Sequence, residues 1–328
     1  MIVSVTGGTG FIGSQLIDTL LAQGHEVRAL VRRSSNLRWL EGKNVRLVHG
    51  DVRDAASLDA FLENADIIYH IAGVVKARDE KGYVEGNVDA TRNMLDSALR
   101  VAPRLRRFLY VSSQTAAGPA HALDRPTRES DTPAPITTYG RSKWAAEQLV
   151  HGYRDKLPWT IVRPPAVYGP RDTEIFIYFQ AISRGLNSMI GFDDKRLSLI
   201  HSADLVQGIQ LAAESERSVG ETYFISSEEF YSWPQVGRIS AAALRKRVLT
   251  LRLPHALVYG VAAVAQGVAA LSKQAATLNL EKARDITQRY WICDVSKARE
   301  QLGYRQRMSI EQGVHDTIAW YREQGWLK

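Results

Sequence analysis

The first twenty-five residues constrain the fold of this chain more than any other stretch. They run from an apolar, β-branched segment (Ile2-Val3-Ser4-Val5-Thr6) through Gly7-Gly8-Thr9-Gly10-Phe11-Ile12-Gly13 into apolar positions at helical spacing, Leu16, Ile17, Leu20 and Leu21, which Gly24 closes. The pattern predicts strand, glycine loop and helix. Its glycines satisfy both GxxGxxG (Gly7, Gly10, Gly13) and GxGxxG (Gly8, Gly10, Gly13). In a dinucleotide site the first glycine makes the turn, the middle one admits the pyrophosphate, and the last lets helix pack on strand. The free N–H groups of Phe11, Ile12 and Gly13 would then face an anion at the positive end of the helix dipole. A lone glycine pattern is weak, but a second strand follows here at Glu26 to Val31, as a βαβ unit requires.

Strand and helix signals continue to alternate. Strands are expected at Val45 to His49, Ile67 to Ile71 and Arg107 to Ser112, with helices over Ser57 to Leu62 and about Asn87 to Leu99. This predicts an α/β fold, a Rossmann-type doubly wound parallel sheet with ligands at the carboxyl ends of its strands. With 328 residues the chain is long enough for a second lobe. The expected division is a nucleotide-binding domain over 1–165 plus about 197–226, and a smaller, mostly helical substrate lobe over about 166–196 and 227–328. Leu197 to Ile200, Asp204 to Ala213 and Thr222 to Ile225 are expected to return to the sheet. Trp233 to Arg247 and Ala256 to Leu271 read as helices of the substrate lobe, the second buried and apolar.

The end of the second strand indicates the cofactor. An NAD site usually carries an acid there for the ribose 2′-hydroxyl, whereas this chain has Arg32-Arg33-Ser34-Ser35. Guanidinium and hydroxyl groups suit a 2′-phosphate, so NADP is expected over NAD with Arg32 as the main contact, unless these arginines are simply solvated. Asp51 and Val52 would meet the adenine, and Ala72-Gly73 would lie beside the cofactor.

Chemistry gathers at and after the fifth strand. Ser112 and Ser113 end it, and Tyr139-Gly140-Arg141-Ser142-Lys143 opens a helix in which Tyr139 and Lys143 share a face. A phenol with an ordinary pKa near 10 needs help to transfer protons at neutral pH, and an ammonium one turn away favours its phenolate.

Together, TGGTGFIG, Asp51-Val52, Ala72-Gly73, Asn87, YVSSQTAAG, YGRSK and Arg163 to Arg171 resemble the extended short-chain dehydrogenase/reductase superfamily. The chain is most similar to the branch that contains 3β-hydroxysteroid dehydrogenases, dihydroflavonol reductases and bacterial epimerase/dehydratase proteins, and the likeness extends to Trp320–Leu327. The resemblance makes Tyr139 the general acid/base and gives Lys143 the nicotinamide ribose. It places Ser113 on the substrate oxygen and brings Pro164 and Val167 alongside the nicotinamide. Asn87 matches an asparagine beneath the site, with a buried helix polar group as the plainer reading. Gln114, Tyr168, Arg171 and His201 are candidate substrate contacts, although His201 equally suits a helix cap. Helices near Asn87 and Tyr139 often pair subunits in this superfamily, which implies a homodimer.

Departures from the family narrow the reaction. Gln114-Thr115 stand where dehydratases carry Asp-Glu, which argues against dehydration. The arginine and acid usual in nucleotide-sugar epimerases are replaced by Leu197-Ser198 and Arg32, although Arg196 and Arg284 could still meet a diphosphate. The expected activity is hydride transfer between NADPH and a lipophilic or polycyclic ketone or secondary alcohol. An NAD-dependent sugar epimerase is the alternative, and a cofactor-binding scaffold or redox sensor without turnover is the third reading.

Composition excludes other classes. Cys293 is the only cysteine, so neither an intramolecular disulfide nor a cysteine-based metal site is expected. A net charge of +7 comes without nucleic-acid motifs and suits anionic small molecules. Met1 leads straight into the first strand with no signal-peptide pattern, and Ala256 to Leu271 is short for a membrane span, so a cytoplasmic protein with at most weak membrane-surface contact is expected. Proline-rich Gly118 to Thr138 reads as a long loop near the site that could close as a lid.

Overall fold

The computed structural model describes residues 1–272 and 278–327; the side chains of 270–272 lie outside the described set. Six strands, β1 (Ile2–Thr6), β2 (Glu26–Val31), β3 (Arg46–His49), β4 (Ile67–His70), β5 (Arg107–Val111) and β6 (Trp159–Arg163), join Glu221–Phe224 in a seven-stranded sheet. All pairs are parallel, in the order Glu221–Phe224, β6, β5, β4, β1, β2, β3. The order reverses between β1 and β4. A crevice therefore opens there, between the glycine loop after β1 and the Ile71–Gly73 turn after β4, as doubly wound sheets require.

Alternation along the strands divides the core. Val3, Val5, Ile67, Tyr69, Leu109 and Val111 face one side, against Leu16, Ile17 and Leu20 of helix Phe11–Ala22 and Leu205 and Ile209 of helix Ser202–Glu214. Ile68, Phe108, Tyr110 and Ile161 face the other, against Phe61, Met94, Leu95, Ala146 and Val150. Ala298, Leu302 and Tyr304 also join the first face, so the C-terminal segment returns to the sheet. A third core, around Tyr168, Phe179, Leu199, Tyr231, Val314 and Tyr321, gathers elements outside the seven-stranded sheet.

Several elements differ from the sequence reading. Asn87 does not lie in a plain α-helix: Val84–Asp89 is a π-helical turn between Glu80–Tyr83 and Ala90–Val101. Leu197 to Ile200 does not enter the main sheet. Its halves pair instead with Ala166–Tyr168 and with Tyr231–Ser232 and Tyr290–Trp291, because strand Glu221–Phe224 already occupies the edge beside β6. Asp204 to Ala213 is helical and covers the sheet. Residues Leu249–Leu253 form an unforeseen strand paired with Leu186–Ile190. Helix His255–Ser272 is not buried: Leu257, Val261, Val264 and Val268 are exposed. Among its described residues, only Val258 and Ala262 belong to a small core with Ala283.

The Gly118 to Thr138 loop is tied down along its length. Ala120 and Thr127 donate to the carbonyls of Tyr290 and Ile292, Ala134 donates to Ala117, and Glu129 accepts from the Phe224 amide.

Candidate active site

The glycine loop forms as expected. Gly7 takes φ +72°, beyond the ordinary reach of a side chain, and a Cβ there would lie 2.9 Å from the Ala72 nitrogen across the crevice. A Cβ on Gly13 would run into the Gly7 carbonyl oxygen, so this glycine allows the helix to start flush against the loop. Helix Phe11–Ala22 begins at Gly10 with no side-chain cap and no acid in its first turn. Its leading N–H groups are left for an anion, and the cradle fits a dinucleotide pyrophosphate.

Beside the loop, Thr6, Gly7, Thr9, Arg32, Ser35, Asp51, Val52, Ala72, Gly73 and Glu85 line a cleft of about 250 Å³. The structure thus brings together sequence candidates from Gly7 to Gly73, 66 positions apart in the chain. It adds Arg53, whose guanidinium bonds both oxygens of Asp51 at 3.1 and 2.8 Å. That pairing, with further help from Arg32, holds the Asp51 carboxyl below its usual range. Arg53 was legible only as the second residue after Asp51. Arg32 is exposed at the rim, with its backbone N–H bonded to the Ser35 hydroxyl at 3.0 Å.

The floor of the crevice is a buried polar chain. Thr91 donates its hydroxyl proton to the Asn87 carbonyl at 2.6 Å, so toward His70 Nε2 at 3.1 Å it accepts. His70 therefore carries its proton on Nε2, and its Nδ1 accepts from Thr6 at 2.9 Å. Thr6 in turn accepts from the amides of Ile71 and Ala72, fixing the turn against Gly7. Burial pushes the His70 imidazole down to about 3, aided by Lys143, so it stays neutral. Asn87 accepts from the Val74 amide at 2.7 Å and donates to the Val74 carbonyl and to Ser142, the plainer of its two readings.

Helix Thr138–His151 carries Tyr139 and Lys143. Thr137 caps it, accepting from the Gly140 amide at 3.0 Å, and Gly140 lets it approach the carbonyl of Thr115 closely. This close approach sets Tyr139 beside Ser113, the cap of turn Gln114–Ala117. Burial pushes the Tyr139 hydroxyl up to about 12, the Ser113 hydroxyl pulls it down, and Tyr83 and Asp285 push it further up. Lys143 bonds the Val111 carbonyl at 2.8 Å and sits 4.4 Å above the Tyr110 ring. Desolvation brings its ammonium down to about 7, against the charge of Glu147 one turn on. Tyr139 is therefore a protonated acid at neutral pH.

The remaining candidates scatter. Gln114 is buried, with its side-chain Nε2 unpartnered, and its backbone N–H donates to the Pro164 carbonyl at 2.8 Å. Val167 packs on the sheet core. Arg171 is turned onto the first helix, bonding Ser14 at 3.0 Å and Asp18 at 2.6 Å. His201 caps helix Ser202–Glu214 through Nδ1 and lies 3.3 Å from Asp316. Tyr168 is buried against the His201 ring, their centroids 5.4 Å apart. Sequence reasoning missed the roof of the site: Glu281 accepts from the Thr138 amide and hydroxyl and pairs with Arg141. No local pattern marks that contact, which spans 143 positions.

Two features lie apart from this crevice. A cleft of about 880 Å³ between the Glu221–Phe224 edge and Asp294–Glu300 contains none of the candidates. Among the described residues no cluster of His, Cys, Asp and Glu could hold a metal ion.

A family model for the NAD dependent epimerase/dehydratase family matches residues 3–231. The chain is similar to the ceramide reductase of Caulobacter vibrioides, at 28% identity over 99% of this chain and 96% of the relative. It is also similar to a 3-beta-hydroxysteroid dehydrogenase of Mycolicibacterium neoaurum, at 24% over 98% and 91%. The UDP-glucose 4-epimerase of Thermotoga maritima, solved with UDP-glucose, shares the fold at a TM-score of 0.82, with 21% identity and 99% of each chain covered. With its glycine cradle, parallel sheet and family match over residues 3–231, the chain belongs to the NAD dependent epimerase/dehydratase family and is an oxidoreductase.

Proposed function

We propose that this protein is an NADPH-dependent reductase of a lipophilic ketone, running in reverse on the secondary alcohol. The observation that carries the reading is Tyr139, a protonated phenol set beside Ser113 at the crevice, with Lys143 one turn away. When bound, the nicotinamide supplies the hydride. Ser113 holds the substrate oxygen by hydrogen bonding, Tyr139 gives that oxygen its proton, and Lys143 holds the ribose and offsets charge on the phenolate left behind. Pro164 and Val167 flank the nicotinamide in this reading.

NADPH is favoured because β2 ends without an acid, and the cleft there presents Arg32, Ser35 and Arg53. Gln114 presents an unpartnered side-chain Nε2 next to Ser113 and is the best placed of the four substrate candidates. Arg196, which an epimerase would turn to a diphosphate, pairs with Asp194 at 3.0 Å. Relatives named for ceramide and for a hydroxysteroid support a lipophilic substrate. Titrating cofactor-free protein with NADPH and NADH, read by energy transfer from tryptophan, tests the reading. Tight, exchangeable NADPH binding with weaker NADH is expected; trapped NAD with no NADPH preference would move epimerisation to first place.

A further inference from the structure

Helix His255–Ser272 contains no Asp, Glu, Lys or Arg, yet it lies on the surface. A helix apolar all round is normally buried in a core or in lipid. Here Val258 and Ala262 pack inward toward Ala283, while Leu257, Val261, Val264 and Val268 form an outward stripe, 50 to 69% exposed. Gly260 and Gly267 lie on the helix with open space around them. On strand Leu249–Leu253, which leads into the helix, Leu249 and Leu251 are also exposed, at 65 and 43%. Phe192, at the turn beside this strand, is 69% exposed. Scattered apolar residues are ordinary on a surface, but a contiguous patch of this kind marks an interaction site.

Charge identifies the partner. Residues 230–280 contain no Asp or Glu, while Arg238, Arg245, Lys246, Arg247, Arg252 and Lys273 account for most of the chain's net charge of +7. Arg245, Lys246, Arg247 and Arg252 are exposed, with no ion pair to any described residue. The nearby acids are occupied: Asp193 by Lys195 and His255, Asp194 by Arg196. Two copies meeting symmetrically through this face would set cation against cation. An apolar stripe with a cationic flank complements an anionic bilayer surface instead. No described helix is long and apolar enough to cross a membrane, so the contact would be interfacial.

We propose that residues Leu249–Val268 dock this protein on the surface of an anionic phospholipid bilayer. The patch adjoins the catalytic roof. Helix His255–Ser272 packs on Ala283 of helix Leu280–Ile286, whose Glu281 holds Thr138, next to Tyr139. Docking therefore sets the crevice close to the lipid, and delivery of a lipophilic ketone from it rests on the reductase reading above.

Sedimentation with sucrose-loaded vesicles tests the proposal, using phosphatidylcholine alone and with about a third phosphatidylglycerol. The protein is expected to bind the mixed vesicles roughly tenfold better than the neutral ones. Val264→Glu/Val268→Glu is expected to weaken that binding about tenfold or more, and Arg245→Glu/Arg247→Glu to remove the preference for the anionic lipid. Both doubles change exposed side chains, and circular dichroism and NADPH binding check their folding. No binding to the mixed vesicles overturns the proposal. So does a dimer, seen by sedimentation equilibrium, that Val264→Glu/Val268→Glu dissociates. Turnover of a small water-soluble ketone should be unchanged in that variant; if no ketone is reduced, the reductase reading fails while the vesicle result stands.

Discussion

Glu147 grips Arg163 in the interior, one helical turn beyond Lys143: the guanidinium bonds both carboxylate oxygens, at 3.0 and 2.5 Å, with the side chains 0 and 3% exposed. The pair locks helix Thr138–His151, which carries Tyr139 and Lys143, to the end of β6, and Arg163 also lies over the rings of Trp144 and Phe224. Glu147→Ala leaves a buried cation unpaired and is expected to lower stability by about 3–5 kcal/mol. Chemical denaturation measures it; a loss under about 1 kcal/mol would mean water reaches the site.

The same carboxylate tunes Lys143. With its ammonium at about 7, the lysine loses its charge above neutrality, while Tyr139 at about 12 keeps its proton. For ketone reduction kcat/KM should therefore be level at acid pH and fall as pH rises through about 7. Glu147→Gln removes the charge that holds the ammonium up and should move this limb to lower pH. A rate that stays level to about pH 10 would rule out the lysine as the titrating group.

Tyr139→Phe removes the proposed proton donor while leaving the glycine cradle untouched. Turnover should fall about a hundred- to ten-thousandfold with the NADPH dissociation constant nearly unchanged. Steady-state kinetics and cofactor titration together read the split; a variant that keeps most of its rate would reassign the acid.

On the NADPH reading, Arg32→Ala removes a charge-assisted contact that only a 2′-phosphate can use. NADPH affinity should drop about 10- to 100-fold while NADH binding hardly changes. Equal losses for both cofactors would assign the phosphate contact elsewhere, with Arg53 next to be tested.

Gly13→Ala places a methyl against the Gly7 carbonyl oxygen, and neither backbone can yield without moving the loop. A stability loss of about 1–3 kcal/mol is expected, together with loss of cofactor binding. Thermal unfolding with and without NADPH checks both, because the ligand-dependent rise in Tm should vanish.

The sequence by itself determined the βαβ start, the parallel sheet and the placing of Tyr139 and Lys143 on one helix, because each is written locally. Glycines at fixed spacing report a turn, apolar runs report buried strands, and residues four apart on a helix share a face. His201 was likewise readable as a cap, since a polar residue before an apolar helix has a local task. Tertiary structure decided what depends on distant partners. Arg171, alone in sequence, belongs to Asp18, 153 positions away, and Glu281 reaches Thr138 across 143. The same holds for helix His255–Ser272: its apolar run signals burial, and only the arrangement of the chain leaves Val261, Val264 and Val268 uncovered. Periodicity records which residues avoid water, whereas what covers them is settled by contacts between remote segments. For that reason the charge of the Lys143 ammonium, set by desolvation, could be read only from the folded chain.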